Sequence, residues 1–245
     1  MNRAQRELQR MIRREAAAYV AGLRDLEDCL AHDFDGGDWH SVGAELVAAI
    51  RTAPRLVLPS GHWWRGRAGA DESYSSEQFS APPPALAKGG RFNWPGESFW
   101  YLADSPQHAV MEIGDHWKPV AVVQCFRVGE LRGVLDLAPR DVVGTGECRM
   151  APVLMALIFG RWLGQIRPPC SRTAKESEYL LTRFVARCAF RSGFAAILSA
   201  GARTAYLNLQ FPRRSTVDVN AVGTPRLIEL PWHMSATTER LLIHA

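Results

Sequence analysis

Gly89-Gly90-Arg91-Phe92-Asn93-Trp94-Pro95-Gly96, followed by Phe99-Trp100-Tyr101-Leu102-Ala103-Asp104-Ser105-Pro106 and then Ala109-Val110-Met111-Glu112, is the stretch on which the reading of this chain turns. The three glycines and Pro95 let the backbone turn tightly and come close to a ligand. The aromatics of 99–103 favour a strand. Ser105 reads as an N-cap and Pro106 as the first helical residue, so a helix over 106–114 follows that strand with almost no loop. On this helix Ala109, Val110 and Ile113 share a face. Glu112 falls at the edge of that stripe, where a carboxylate can point along a cleft. A simpler alternative, a solvated Glu112 paired with His108 four residues earlier, fits the spacing better when the helix is taken alone. A glycine turn, a strand and a capped helix bearing an acid form the layout of an active-site floor.

Working outward, 245 residues with 47% hydrophobic content suit one large domain, or a domain with a helical appendage. The apolar run from Ala151 to Leu163 is short, is interrupted by Pro152 and Arg161, and follows Arg149; it predicts a buried helix rather than a membrane span. Arg3, Arg6, Arg10, Arg13 and Arg14 run through an amphipathic pattern instead of preceding an apolar block, so a cytoplasmic location is expected. The cysteines, at 29, 125, 148, 170 and 188, stand singly without a C-x-x-C, which argues against a disulfide framework or structural zinc. Cys125 and Cys188 read as core fillers. The histidines lack ligand spacing, so no metal is expected. Walker, dinucleotide and G-x-S-x-G signatures are missing from the sequence.

The net charge of +4 is concentrated in residues 1–24, where six arginines face Glu7 and Glu15. Ile12, Tyr19, Leu23, Leu26 and Leu30 recur at helical spacing, so these arginines read as the solvated side of a docking helix and direct nucleic-acid binding is not expected. A helix over 3–31, a turn at 33–38 and a second helix over 39–52 predict an N-terminal helical hairpin. Beyond it, strands are expected near 62–67, 98–103, 119–128, 194–198, 205–211 and 225–230, with helices near 106–114, 150–164 and 174–191. The last of these opens on the capping pattern Thr173-Ala174-Lys175-Glu176 and places Leu180, Leu181, Phe184, Val185 and Cys188 on one face. Without regular β-α-β alternation the fold class is α+β: mixed, largely antiparallel sheets with flanking helices.

Several pieces, in order, resemble the RES-domain family: Trp64-Arg65-Gly66-Arg67; Ala81-Pro82-Pro83-Pro84 with Gly90-Arg91-Phe92-Asn93; Trp100-Tyr101-Leu102-Ala103; Ala109-x-x-Glu112; Gly193-Phe194-Ala195-Ala196-Ile197-Leu198-Ser199; and Asn208-Leu209-Gln210-Phe211. No piece is specific alone. The resemblance is strongest over 62–212 and divides the chain into a helical extension, 1–60, and a RES-like catalytic domain, 61–245. It implies a fold similar to the ADP-ribosyltransferase core and an enzyme that consumes NAD+ by phosphorolysis or hydrolysis. It further implies the toxin of a bacterial toxin–antitoxin pair, silenced by a helix-turn-helix antitoxin. NAD+ would be the substrate, with inorganic phosphate as the co-substrate of the phosphorolytic route, and no cofactor is implied. Homo-oligomerisation is left open.

By position the family's namesake residues are Arg65, Glu112 and Ser199, with Tyr101, Arg91, Arg67 and Asn93 as candidate substrate-binding neighbours. Cleaving the nicotinamide–ribose bond develops positive charge on the sugar, which a carboxylate such as Glu112 would stabilise. An arginine fork suits the two phosphates of the dinucleotide, Arg65 foremost, then Arg91 and Arg67. Tyr101 would stack on the planar, cationic nicotinamide. Ser199 would hold the amide or the ribose by hydrogen bonds rather than act as a nucleophile, since no His–Asp pair is evident to activate it. Taken singly, Arg65 also fits an ion-pair partner, Tyr101 an ordinary strand aromatic and Ser199 a turn residue; the ordered set tips the reading. The segment after Ser199, Ala200-Gly201-Ala202-Arg203, departs from relatives that place an arginine or second serine sooner. Two other functions remain: ADP-ribosyl transfer to a macromolecule, and a non-enzymatic module binding a partner.

Overall fold

A computed structural model describes residues 21–68, 74–113, 120–138, 179–200 and 206–229. The expected helix over 150–164, the 173–176 capping pattern and the basic positions before residue 21 lie outside them. Two compact units divide the chain, one of Met1–Ala53 with Arg140–Ser192, the other of Pro54–Pro139 with Gly193–Ala245.

In the first unit a helix over 21–32 (α1), α2 (Ser41–Thr52) and α4 (Leu180–Arg191) bury the apolar positions that their spacing marks. Leu23, Leu26, Leu30, Leu46, Ile50, Leu181, Phe184 and Val185 are buried, and the aliphatic stripe of α4 is the one expected from sequence. The turn between the hairpin helices is a 3-10 segment, Asp35–Asp38. Arg187 of α4 ties it down: its guanidinium reaches Asp35 at 2.6 Å and Asp38 at 2.9 Å and lies 4.5 Å above the Phe34 ring. Burial, reinforced by Asp38, pushes the Cys188 thiol up to about 11, as suits a core filler rather than a reactive cysteine.

Among the described residues the second unit carries an eight-stranded sheet in the order β1-β5-β6-β7-β3-β2-β4-β8. The strands are β1 (Leu56–Leu58), β2 (Gly61–Ala68), β3 (Phe99–Ala103), β4 (Val120–Val128), β5 (Leu131–Asp136), β6 (Ala196–Ala200), β7 (Leu207–Pro212) and β8 (Val219–Glu229). All neighbours are antiparallel except β5 and β6, which are parallel, so the α+β class with a mixed, largely antiparallel sheet holds. One face buries Trp63, Trp100, Leu102, Phe126, Leu198, Leu209 and Phe211 as the main core. Against the other face packs α3 (Pro106–Ile113), burying Ala109 and Val110 with Ala103, Ala121 and Val123. Alternation along the strands makes this division, so Tyr101, Ser199, Asn208 and Gln210 point away from the main core. Gly66 lets α3 sit close: a Cβ there would lie 2.6 Å from Ile113 Cδ1 and 3.0 Å from the Ala109 carbonyl oxygen.

Candidate active site

The sheet splits between β2 and β3. These strands pair at Trp64 opposite Ala103, while β2 runs beside β4 along its whole length and β3 beside β7 along its own. Where β2 and β3 part, an open groove of about 670 Å³ is lined by Arg65 and Arg67 from β2 and by Phe99 and Tyr101 from β3. The rest of its wall comes from the turns at 77–88, from Asn93 and Glu97, and from Arg213. Arg65, Arg67, Lys88 and Arg213 outnumber Glu77 and Glu97, so the groove favours an anion.

Arg65 is the most unusual group there. Its Nη1 is buried with no hydrogen-bond partner among the described residues. Burial first, and then the neighbouring Arg67, draw its ionisation down to about 10 against the opposing pull of Tyr101. The guanidinium is still charged at neutral pH, with its carbon 6.0 Å from the Trp100 ring. A buried donor left unsatisfied costs about 1–3 kcal/mol, more when it is charged, and an anion in the groove would relieve that cost. Opposite Arg65 on β4, Gln124 fills the register shift between β4 and β8, donating to the Cys125 and Val222 carbonyls and accepting from Ser76. Arg67 donates through Nε to the Gln78 carbonyl at 2.6 Å.

The glycine-rich turn is fastened to β3 by side chains. Tyr101 donates its hydroxyl proton to Asn93 Oδ1 at 2.7 Å and accepts from the Phe92 amide at 3.0 Å. Asn93, itself buried, donates to the carbonyls of Lys88, Trp94 and Glu97. Tyr101 therefore offers its ring to the groove while its hydroxyl organises the loop. Gly90 makes room for this: a Cβ there would lie 2.7 Å from both Asn93 Oδ1 and the Tyr101 hydroxyl oxygen.

A second cluster surrounds Glu112. Ser105 caps α3 as expected, its hydroxyl accepting from the His108 amide at 3.1 Å. The buried His108 ring lies between two carboxylates, Asp104 at 3.0 Å and Glu112 at 3.1 Å. The pairing with His108 that sequence spacing left open is thus present, but Glu112 is not simply solvated. Burial drives its carboxyl upward; the hydrogen bond and charge of His108, the charge of Arg91 and a hydrogen bond from Asn208 outweigh burial and hold it below the usual carboxylate range.

Ser199 is fully buried, exchanging hydrogen bonds with the Gln210 side chain at 3.1 and 3.3 Å. The groove thus collects Arg65, Arg67, Asn93 and Tyr101, whereas Arg91, Glu112 and Ser199 are not among the residues lining it. Sheet register links the groups: Gln210 stands directly opposite Tyr101 on β3, and Asn208, which bonds Glu112, stands opposite Ser199 on β6. Sequence reasoning gave no role to Asp104, Asn208, Gln210, Lys88 or Arg213. The i, i+4 steps from Asp104 to His108 to Glu112 were a readable signal; register partners across strands were not.

Among the described residues no cluster of His, Cys, Asp and Glu is arranged to hold a metal ion, and no helix is long and apolar enough to cross a membrane.

Fold and site together define an α+β protein with a split, mostly antiparallel sheet, a cationic groove at the split and a hydrogen-bonded acid on the helix that packs against the sheet. Residues 62–233 match the RES domain, and the chain belongs to that family. Among solved structures, a chain in the crystal structure of the M. tuberculosis MbcT–MbcA toxin–antitoxin complex is similar, at 16% identity and a TM-score of 0.45 over 82% of this chain and 100% of that one. No curated protein matches in sequence.

Proposed function

We propose that this RES-domain protein consumes NAD+ by cleaving the bond between nicotinamide and ribose, with the split-sheet groove as the dinucleotide site. The observation that carries this reading is Arg65: a half-buried guanidinium with one buried, unsatisfied nitrogen, in a groove lined by further cations. A pyrophosphate supplies the charge and the paired oxygens that such a fork lacks. In the reaction the C1′–N bond breaks, its electron pair leaves with neutral nicotinamide, and positive charge develops on the ribose. Glu112, held ionised by His108, Arg91 and Asn208, stabilises that charge. Water or phosphate oxygen then bonds to C1′; water loses its extra proton to solvent, and phosphate leaves a ribosyl phosphate. Ser199 is tied to Gln210, which stands opposite Tyr101 in the sheet, so it takes a supporting role in place of direct ligand contact.

As the family resemblance implies, the protein acts as a toxin whose partner is a helix-turn-helix antitoxin encoded beside it. The test is incubation of the full chain and Glu112→Ala with NAD+, with and without phosphate, followed by identification of products. Nicotinamide released by the wild type and not by the variant supports the reading. Phosphate-dependent release identifies phosphorolysis. Label transferred to a macromolecule marks ADP-ribosyl transfer instead, and intact NAD+ overturns the proposal.

A further inference from the structure

Asp104, His108 and Glu112 form a continuous side-chain chain, and both of its ends are fixed to β7. Asp104 is clamped twice to Leu207: its backbone amide donates to the Leu207 carbonyl at 3.0 Å, and its Oδ2 accepts from the Leu207 amide at 2.8 Å. Its other oxygen, Oδ1, meets His108 Nδ1 at 3.0 Å. His108 Nε2 meets Glu112 Oε1 at 3.1 Å, and Glu112 receives the Asn208 side chain from the next position on β7. The imidazole has no solvent exposure, so water cannot substitute for either carboxylate. Each ring nitrogen thus has one carboxylate oxygen within hydrogen-bond distance. The ring packs 5.6 Å from Tyr206 and cannot swing away without leaving two buried bonds unmade.

We infer that His108 is a positioning residue, anchored by Asp104, that fixes the rotamer of Glu112 for the reaction. A solvated glutamate on the same helix would present several rotamers. Holding the carboxylate in one of them is what makes its charge useful at the developing cation, because misplacement by about 1 Å costs on the order of a hundredfold in rate. The groups that face Glu112 are His108 on its own helix, Asn208 on β7 and Arg91 on the glycine-rich turn. Those that face His108 are Asp104, Glu112 and the Tyr206 ring.

The inference rests on the NAD+-cleaving reading, and its test separates the two. In the full chain, the carboxyl carbon of Glu112 is followed by NMR across an acid titration, in wild type and in His108→Gln, which keeps a polar side chain in the buried site. The titration midpoint of Glu112 is expected to rise in the variant. The same variant and Asp104→Asn are then assayed with NAD+: kcat is expected to fall by about tenfold or more, with KM changed less than about twofold and the acid limb of the kcat profile moved to higher pH. A merely structural histidine would lower the unfolding midpoint and leave the acid limb in place. An unchanged Glu112 titration, or a variant with wild-type kcat and acid limb, overturns the inference. If the wild type leaves NAD+ intact, the functional reading fails, while the Glu112 titration still decides whether His108 holds the acid. Should His108→Gln fail to fold, Asp104→Asn supplies both measurements.

Discussion

The Tyr101 hydroxyl donates to Asn93 Oδ1 across 2.7 Å and thereby joins the floor of the groove to the glycine-rich turn above it. Tyr101→Phe keeps the ring but removes this bond and the one from the Phe92 amide. Leaving such groups without partners costs about 1–3 kcal/mol. Chemical denaturation should show a loss of that size, with a rise in KM for NAD+ as the turn loosens. Unchanged stability would mean that the hydroxyl is dispensable.

Arg65 sets function against stability. Its ionisation is lowered in the folded protein, so at neutral pH the charged side chain works against folding; that cost is removed when the charge is deleted. Arg65→Met is therefore expected to keep or raise Tm while abolishing NAD+ consumption, measured by thermal unfolding and nicotinamide release on the same preparation. A fall in Tm would make Arg65 a structural residue instead.

For Glu112 the sign runs the other way. A carboxyl whose folded value lies below its unfolded value of about 4.3 contributes stability that is fully present above that value and disappears as pH falls through the folded one. Glu112→Gln should flatten the acid side of the stability curve, read from urea midpoints between about pH 3 and pH 7. An acid slope identical to wild type would show that the carboxylate gains nothing from His108, Arg91 and Asn208.

Gly66→Ala should push α3 from the sheet, since its Cβ would crowd Ile113 and the Ala109 carbonyl. Overpacking of this kind costs about 1–3 kcal/mol. Because α3 carries Glu112, turnover should fall together with the unfolding midpoint. Turnover held at the wild-type level in a destabilised Gly66→Ala protein would show that the acid does not depend on close packing of its helix.

Local signals in the sequence predicted local structure well. The aromatic run, the Ser105 cap and Pro106 placed β3 and α3 within a residue or two of where they lie, because each boundary is set by chemistry in the adjoining residues. β1 escaped notice because it is three residues long, and β5 because Gly133, at φ +78°, interrupts its apolar pattern. β8 begins at Val219, earlier than the expected 225, because its residues are largely exposed and carry little alternation. The candidate site divides along the same line. Glu112 and its partner His108 were readable from helical spacing. The enclosure of Ser199 by Gln210 and the isolation of the Arg65 nitrogen follow from strand register and from the parting of β2 and β3, which join residues far apart in the chain.

The most direct test of the groove as the NAD+ site is calorimetric titration of NAD+ into Glu112→Ala, where turnover is removed and binding can be read alone. Glu112→Ala is expected to bind NAD+, and the double variant Arg65→Met, Glu112→Ala to bind at least tenfold more weakly, about 1.4 kcal/mol or more. Equal affinity in the two proteins would contradict the account.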